Sequence, residues 1–196
     1  MENNEKRQRP TIRHGQVLVA SPLLTDPNFR RSAVIVLEED SSHGHIGLVL
    51  NRELDLTLKD ICDMPGPGAE LKVFNGGPVD LQRLFWLHDL GPEVLPGAME
   101  ILPGLYVGGD YNALINESAS GHSLPGIIRF YLGYSGWGAA QLEREIEAGA
   151  WGVVENVLDP RELIETGGME MWYALVRRLG SRYRHWSMIP SDPNLN

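Results

Sequence analysis

Short apolar runs alternate with turn residues along most of the chain, and this pattern predicts strands more often than helices. The runs are rich in β-branched and aromatic residues, which favour strands. A polar turn at 39–44 separates two of them, which predicts a β-hairpin. The predicted strands are 16–20, 33–37, 46–50, 72–74, 84–87, 99–102, 127–132 and 152–157.

Helical spacing of apolar residues is concentrated in the second half of the chain. The clearest case runs from Met169 to Leu179 and is ended by Gly180. Asp159 and Pro160 begin another helix, because Asp caps and Pro suits the first turn. Shorter helices are predicted at 57–63, at 139–146 and at 111–118, where Asp110 is the predicted cap. Strands come first and helices come between and late, which predicts an α+β fold with a largely antiparallel or mixed sheet.

The length of 196 residues fits one domain with short tails. Turn residues are spread evenly and no repeat is visible, so we expect a single domain at 13–190. The polar ends, 1–12 and 191–196, are predicted to be tails.

Charge narrows the range of partners. The chain carries a net charge of −9, and its first 14 residues carry +2, which leaves −11 on the rest. Such a body repels phosphate backbones. The most basic helix, at 173–178, has Trp172 and Val176 on its other faces. Specific DNA binding is therefore not expected.

The sequence also predicts a compartment. The N-terminus has no apolar leader, and no run approaches the ~20 apolar residues of a membrane span. Cys62 is the one cysteine, so neither an intramolecular disulfide nor a cysteine zinc cage can form. We expect a cytoplasmic protein without a membrane segment.

Two segments resemble reactive sites. Residues 133–137 approach the Gly-x-Ser-x-Gly elbow of hydrolases, but Trp137 stands where a small residue is required. We interpret this segment as a strand end and a turn, with Ser135 capping the next helix. Cys62 is interpreted as a buried structural thiol, and His88 is kept as a candidate general base.

Other polar segments have structural explanations. His43 and His45 lie near acidic residues, but a catalytic metal site usually needs three protein ligands, so we interpret them as solvated turn residues. The acidic stretch at 142–147 is interpreted as a solvated helix side on which Arg144 pairs locally. The turn at 75–78 could cradle an anion with its backbone N–H groups. A structural turn is favoured there.

Four ordered motifs give a family resemblance. They are 21–23 with 26–34, then 47–52, then 76–79, and finally 132–137 with 141–146 and Trp151. Their order and spacing resemble the YqgE/AlgH family of bacterial proteins over about residues 15–190. The chain departs from that family at Ala140, where a glycine is usual. It also departs at Ser135, where alanine is frequent, and this argues further against Ser135 as a nucleophile.

The resemblance implies a fold more than a function. It implies an α+β structure in which a bent, mixed or mostly antiparallel sheet forms a partial barrel flanked by helices. Family members are mostly called uncharacterised, and some carry the label of transcriptional regulator. The resemblance supplies no catalytic residues to transfer.

Our sequence-based hypothesis is a non-catalytic binding or regulatory protein whose partner is a small molecule or a protein. No catalytic residue, metal or cofactor is predicted. The alternatives are a transcriptional regulator, from the family label, and a small hydrolase with an unrecognised site, which a base within hydrogen-bond reach of a buried nucleophile would support. The binding surface is predicted to lie on loops, where function usually sits. Its predicted residues are Arg30, Arg31, Asn51, Gly76, Gly77, Tyr134, Trp137 and Glu143.

Overall fold

A computed structural model describes residues 12–40, 44–121, 124, 126–154 and 159–190. The predicted tails lie outside these residues, apart from Ile12. Ile12 is buried and packs in a core cluster with Leu18 and Val34. No helix in the described ranges is both long enough and apolar enough to cross a bilayer.

The sheet is mixed and mostly antiparallel, as predicted. Its described strands follow the order β10-β1-β2-β3-β9-β6-β8-β7, with β4 pairing to β5 and β5 pairing in parallel to β9. The end strands β10 and β7 are not neighbours in this order, so the described sheet is open. The strands are β1 Val17–Ala20, β2 Ala33–Asp40, β3 Gly44–Val49, β4 Glu53–Thr57, β5 Lys72–Asn75, β6 Val79–His88, β7 Met99–Leu102, β8 Leu105–Val107, β9 Ile128–Trp137 and β10 Trp151–Val154.

Helices flank this sheet, which confirms the α+β class. The caps predicted from sequence form: the Asp110 carboxylate accepts from Ala113 N–H, and Asp159 accepts from Arg161 N–H. The α-helices are α1 Tyr111–Ala119, α2 Gln141–Glu147, α3 Pro160–Glu165 and α4 Gly168–Arg178, with 3-10 helices at Leu58–Asp60, Gly66–Glu70 and Ser181–Met188.

Core residues form clusters on the two faces of the sheet. Along β1, Val17 and Val19 enter one cluster, whereas Leu18 and Ala20 enter another. Because successive strand residues point to opposite faces, these two clusters lie on opposite sides of the sheet. The first lies under α4 and includes Trp172, and we call it the α4 face. The second contains Leu142 of α2 and the tryptophans 137 and 151, and we call it the α2 face. A third cluster, around Leu58, Leu114 and Phe130, lies under α1.

Differences from the predicted strands have physical causes. β9 does not end near residue 132 but continues through Gly133, which adopts φ +70°. A Cβ at Gly133 would lie 2.6 Å from the Gly77 carbonyl oxygen, so the glycine permits close contact between neighbouring chains. β4 was not predicted, because its run Glu53–Thr57 contains two leucines but no aromatic residue and only one β-branched residue, and β8 was missed because it is only three residues long.

Candidate functional site

Five of the eight predicted site residues lie in two clusters on opposite faces of the sheet, whereas Gly76, Gly77 and Tyr134 belong to neither. We call Arg30, Arg31, Asn51 and Arg52 the arginine cluster. We call the second group the tryptophan cluster, and it consists of Phe29, His45, Trp137, Glu143, Glu145 and Trp151. Arg31 stacks on Trp172 of the α4 face, whereas Trp137 packs in the α2 face. The structure therefore does not bring Arg31 and Trp137 together, although the Phe29–Arg31 turn contributes to both clusters.

Arg31 is a buried cation on a strained backbone. Its side chain reaches the C-terminal segment, where Nη2 donates to the carbonyl oxygens of Ile189 at 2.6 Å and Pro190 at 2.7 Å. The guanidinium carbon lies 4.7 Å from the centre of the Trp172 ring. Arg31 is 3% exposed, has φ +52°, and leaves Nε and Nη1 without hydrogen-bond acceptors. Such a residue often marks a functional position.

Asn51 joins the elements around Arg31. Its Oδ1 accepts from Ala33 N–H, and its Nδ2 donates to the carbonyl oxygens of Arg31 and Gly168, each at 3.0 Å. The side chain is buried. Asn51 thus fixes the start of β2, the Arg31 turn and the start of α4 against one another.

Arg30 and Arg52 add two more positive charges beside Arg31. Arg52 Nη2 donates to the Arg30 carbonyl oxygen, and Arg52 Nε is buried without an acceptor. Burial lowers the pKa of Arg52, and the positive charge of Arg30 lowers it further. Within the ranges that the structure describes, no carboxylate pairs with Arg30, Arg31 or Arg52.

The tryptophan cluster is held by a carboxylate. Phe29, Trp137 and Trp151 are in mutual ring contact, with centroids 5.6 to 5.9 Å apart. Glu145 Oε2 accepts from both indole N–H groups, at 3.0 Å from Trp137 and 2.8 Å from Trp151. The interpretation of 142–147 as a solvated helix side is therefore wrong for Glu145, because this carboxylate satisfies two indole donors.

His45 and Glu143 form a buried pair between β3 and α2. His45 Nε2 lies 2.9 Å from Glu143 Oε1, while His45 Nδ1 and Glu143 Oε2 have no hydrogen-bond partner. Burial raises the pKa of Glu143, but hydrogen bonds from His45 and from its own backbone N–H outweigh this and hold the pKa below its usual value. The prediction that His45 and Glu143 are solvated is wrong. His43 lies outside the described residues, and those residues contain no group of three possible metal ligands.

The glycine turn after β5 uses its backbone groups internally. Gly76 N–H donates to the Leu132 carbonyl, and Gly77 N–H donates to the Asn75 side chain at 2.9 Å. A Cβ at Gly77 would lie 2.3 Å from the carbonyl carbon of Tyr134. These contacts support the structural interpretation of the turn over an anion cradle.

Ser135 is a buried strand residue, so its predicted role as a helix cap is wrong. Its Oγ donates to the Gly76 carbonyl at 3.2 Å, and α2 begins only at Gln141. The neighbouring Tyr134 is half-buried and contacts the Phe85 ring edge-on at 6.0 Å. The Ser135 hydroxyl thus has a structural hydrogen bond, and none joins it to a histidine that the structure describes.

The candidate base and the cysteine also have structural surroundings. His88 is buried and donates from Nε2 to the Gly108 carbonyl at 2.9 Å, and burial lowers its pKa. Cys62 is half-buried, and its hydrogen bond with Tyr111 is the main cause that raises the pKa of Tyr111 to about 12. Among the described residues, no hydrogen bond joins His45 or His88 to a hydroxyl or thiol, which is the arrangement that the hydrolase alternative requires.

The backbone conformation at Ala140 explains why related proteins usually have glycine at this position. It precedes α2 with φ +55°, a left-handed conformation that glycine adopts without steric cost. Ala140→Gly is expected to raise the free energy of unfolding by about 1 kcal/mol. Urea titration checks this. The control is Ala148→Gly, at a residue with φ −75°, which should lower stability; equal changes in both variants would contradict the explanation.

Comparison with known proteins places these features in a bacterial family. The chain belongs to the AlgH-like family (DUF179), whose model matches residues 17–184. It is 38% identical over 182 residues to a UPF0301 protein of Parabacteroides distasonis, covering 93% of this chain and 90% of that one. It is 37% identical to a UPF0301 protein of Chlorobium phaeobacteroides, covering 94% and 96%. These names assign no reaction, and the YqgE/AlgH resemblance is confirmed.

Solved structures show the same fold. The solution structure of AlgH from Pseudomonas aeruginosa superposes with a TM-score of 0.69 at 30% identity, covering 90% of this chain and 93% of that one. A crystal structure of a protein from Corynebacterium diphtheriae superposes with a TM-score of 0.70 at 20% identity, covering 93% and 95%. The second likeness concerns the fold alone.

Proposed function

We propose that this is a non-catalytic binding protein that recognises the carboxylate or phosphate group of a small molecule at the arginine cluster. One observation carries the proposal. Arg30, Arg31 and Arg52 lie together without a carboxylate among the described residues, in a chain whose net charge is −9. Acidic side chains are plentiful in this chain, yet none of the described ones neutralises this cluster.

An anion would relieve an unfavourable local charge. Burial is the larger cause of the lowered pKa of Arg52, and repulsion by the positive charge of Arg30 lowers it further. Guanidinium groups bind carboxylates and phosphates with paired, directional hydrogen bonds. Arg30 is exposed and Arg52 half-buried, so both can meet a ligand from solvent. Arg31 follows Arg30 in the chain, and its buried guanidinium lies on the Trp172 ring.

Arg129 shows what a structural arginine looks like in the same protein. It is buried, its Nη1 donates to the carbonyl oxygens of Leu50, Leu163 and Thr166, and it stacks on Phe74 at 4.2 Å. It leaves no buried nitrogen unpaired, whereas Arg31 and Arg52 do. This contrast favours a ligand-binding role for the arginine cluster over a purely structural one.

Anion binding can be tested with surface variants that keep the fold. We expect inorganic phosphate, added at constant ionic strength, to bind with a Kd near or below ~1 mM. Arg30→Gln and Arg52→Gln should each weaken binding at least about fivefold, a loss of about 1 kcal/mol. Isothermal titration calorimetry measures this. The exposed Arg144→Gln is the matched control and should bind like the parent; equal affinities in all four proteins would reject the proposal.

The regulator alternative gains less support. Trp172 and Val176 of α4 are buried against the sheet, so its basic end is not part of a free recognition helix. We propose that the protein makes no specific complex with duplex DNA.

We also propose a cytoplasmic location, supported by a single cysteine that is only half-buried and has no other cysteine to pair with.

A further inference from the structure

The 3-10 helix Ser181–Met188 presents two unlike faces. In a 3-10 helix, residues three apart lie above one another. Tyr183 and Trp186 face inward, with ring centroids 4.8 Å apart, and both pack in the α4 face. The outward ridge carries Arg182, His185 and Met188, all of them exposed.

This end of the protein is positive although the whole chain is negative. Residues 171–190 contain four arginines and no acidic residue, a charge of +4 that leaves −13 on the rest. Two of the arginines have local roles: Arg177 and Arg178 lie in the last turn of α4, and Arg178 pairs with Glu162 at 2.6 Å. Arg182 and Arg184 have no carboxylate partner among the described residues.

Met188 places an apolar contact beside these cations. Its side chain is 81% exposed, more than any other large apolar side chain in the described ranges. A single exposed methionine is ordinary, but here it ends a ridge that begins with Arg182 and has Arg184 alongside. Arg182 and Met188 are six residues apart, a distance of about 12 Å along a 3-10 helix. About four residues of an extended peptide span the same distance.

We propose that this ridge docks an acidic segment of a partner protein. Carboxylates of the segment meet Arg182 and Arg184, and an apolar side chain about four residues later covers Met188. This proposal is independent of the arginine cluster and names a second, macromolecular partner. The proposed partner segment is a short motif in which acidic residues precede an apolar residue.

The same features argue against other polyanions. Bases of single-stranded nucleic acid need an exposed aromatic face, but Arg182 covers the Tyr183 ring at 4.6 Å and Trp186 is buried. The net charge of −13 on the rest of the chain repels a long phosphate backbone more strongly than it repels a short peptide. A membrane surface requires a broad apolar face, and the ridge offers one apolar side chain.

Fluorescence anisotropy with a synthetic peptide tests the proposal on the full chain. The probe is a labelled octapeptide with two glutamates followed, four residues later, by leucine. We expect saturable binding with a Kd of roughly 10–100 μM. Arg182→Gln and Met188→Ser should each weaken it at least threefold.

Matched variants and competing ligands decide the outcome. Arg83 stacks over Phe85 at 4.9 Å, as Arg182 does over Tyr183, and Met99 is 48% exposed on β7. Arg83→Gln and Met99→Ser should therefore leave peptide binding unchanged. No binding at 1 mM peptide, or equal binding of a peptide with serine for leucine, would overturn the proposal. So would tighter, Arg182-dependent binding of poly-uridine or phosphatidylserine vesicles.

Discussion

Replacing Trp137 by alanine is expected to lower the free energy of unfolding by about 3–5 kcal/mol. The side chain is buried in the α2 face, where it contacts the rings of Phe29 and Trp151. Alanine would leave a cavity between these rings and would also remove one of the two indole donors to Glu145. The loss therefore combines apolar packing with a hydrogen bond to a charged acceptor.

Urea unfolding followed by far-ultraviolet circular dichroism measures this effect. Trp137→Phe should cost less than the alanine variant, because it keeps most of the ring contact and loses only the indole N–H. Leu23→Ala is the control at an exposed apolar residue and should change stability by less than about 0.5 kcal/mol. A Trp137→Ala protein as stable as Leu23→Ala would show that the tryptophan cluster does not stabilise the fold.

Asn51→Ala should have a comparable effect for a different reason. The amide satisfies three backbone groups, Ala33 N–H and the carbonyl oxygens of Arg31 and Gly168. A buried backbone group that loses its partner costs about 1–3 kcal/mol, so we expect a total loss of roughly 3–5 kcal/mol. The change should also loosen α4, since Gly168 is its first residue.

Two further asparagine variants sharpen this test. Asn51→Asp keeps an acceptor for Ala33 N–H but loses both donors, and we expect it to remain destabilised by at least about 2 kcal/mol. Asn112→Ala, at an exposed residue of α1, should stay within about 0.5 kcal/mol of the parent. If amide hydrogen exchange in α4 is as slow in Asn51→Ala as in the parent, Asn51 does not anchor this helix.

Local sequence patterns predicted most of the elements. Short apolar runs rich in β-branched residues identified β1 and β2. Asp110 and Asp159 marked the starts of α1 and α3, because capping depends on residues close in sequence. The prediction that a strand ends at a glycine was wrong at Gly133. A glycine between apolar residues indicates a strand end, but here the left-handed residue lies within β9 and allows the Gly77 backbone to approach.

The sites were harder to predict because their contacts join distant parts of the chain. His45 and Glu143 are 98 residues apart, and each stands in a polar segment that locally indicates solvation. Arg31 and Ile189 are 158 residues apart. The arginine motif was recognised from sequence, but its separation from Trp137 follows from the two faces of a sheet whose pairing no local pattern reveals.

The central claim, that the arginine cluster binds a small anion, is tested most directly by nuclear magnetic resonance of the arginine side chains. The side-chain Nε–Hε signals of Arg31, Arg52 and Arg129 can be followed during a titration with inorganic phosphate at constant ionic strength. We expect the Arg52 and Arg31 signals to shift together along one saturable curve, because their Nε groups lack acceptors. The signal of Arg129, whose Nη1 already donates to three carbonyl oxygens, should stay in place. Arg31 and Arg52 signals that stay fixed, or that drift linearly like an exposed arginine such as Arg144, would contradict the account.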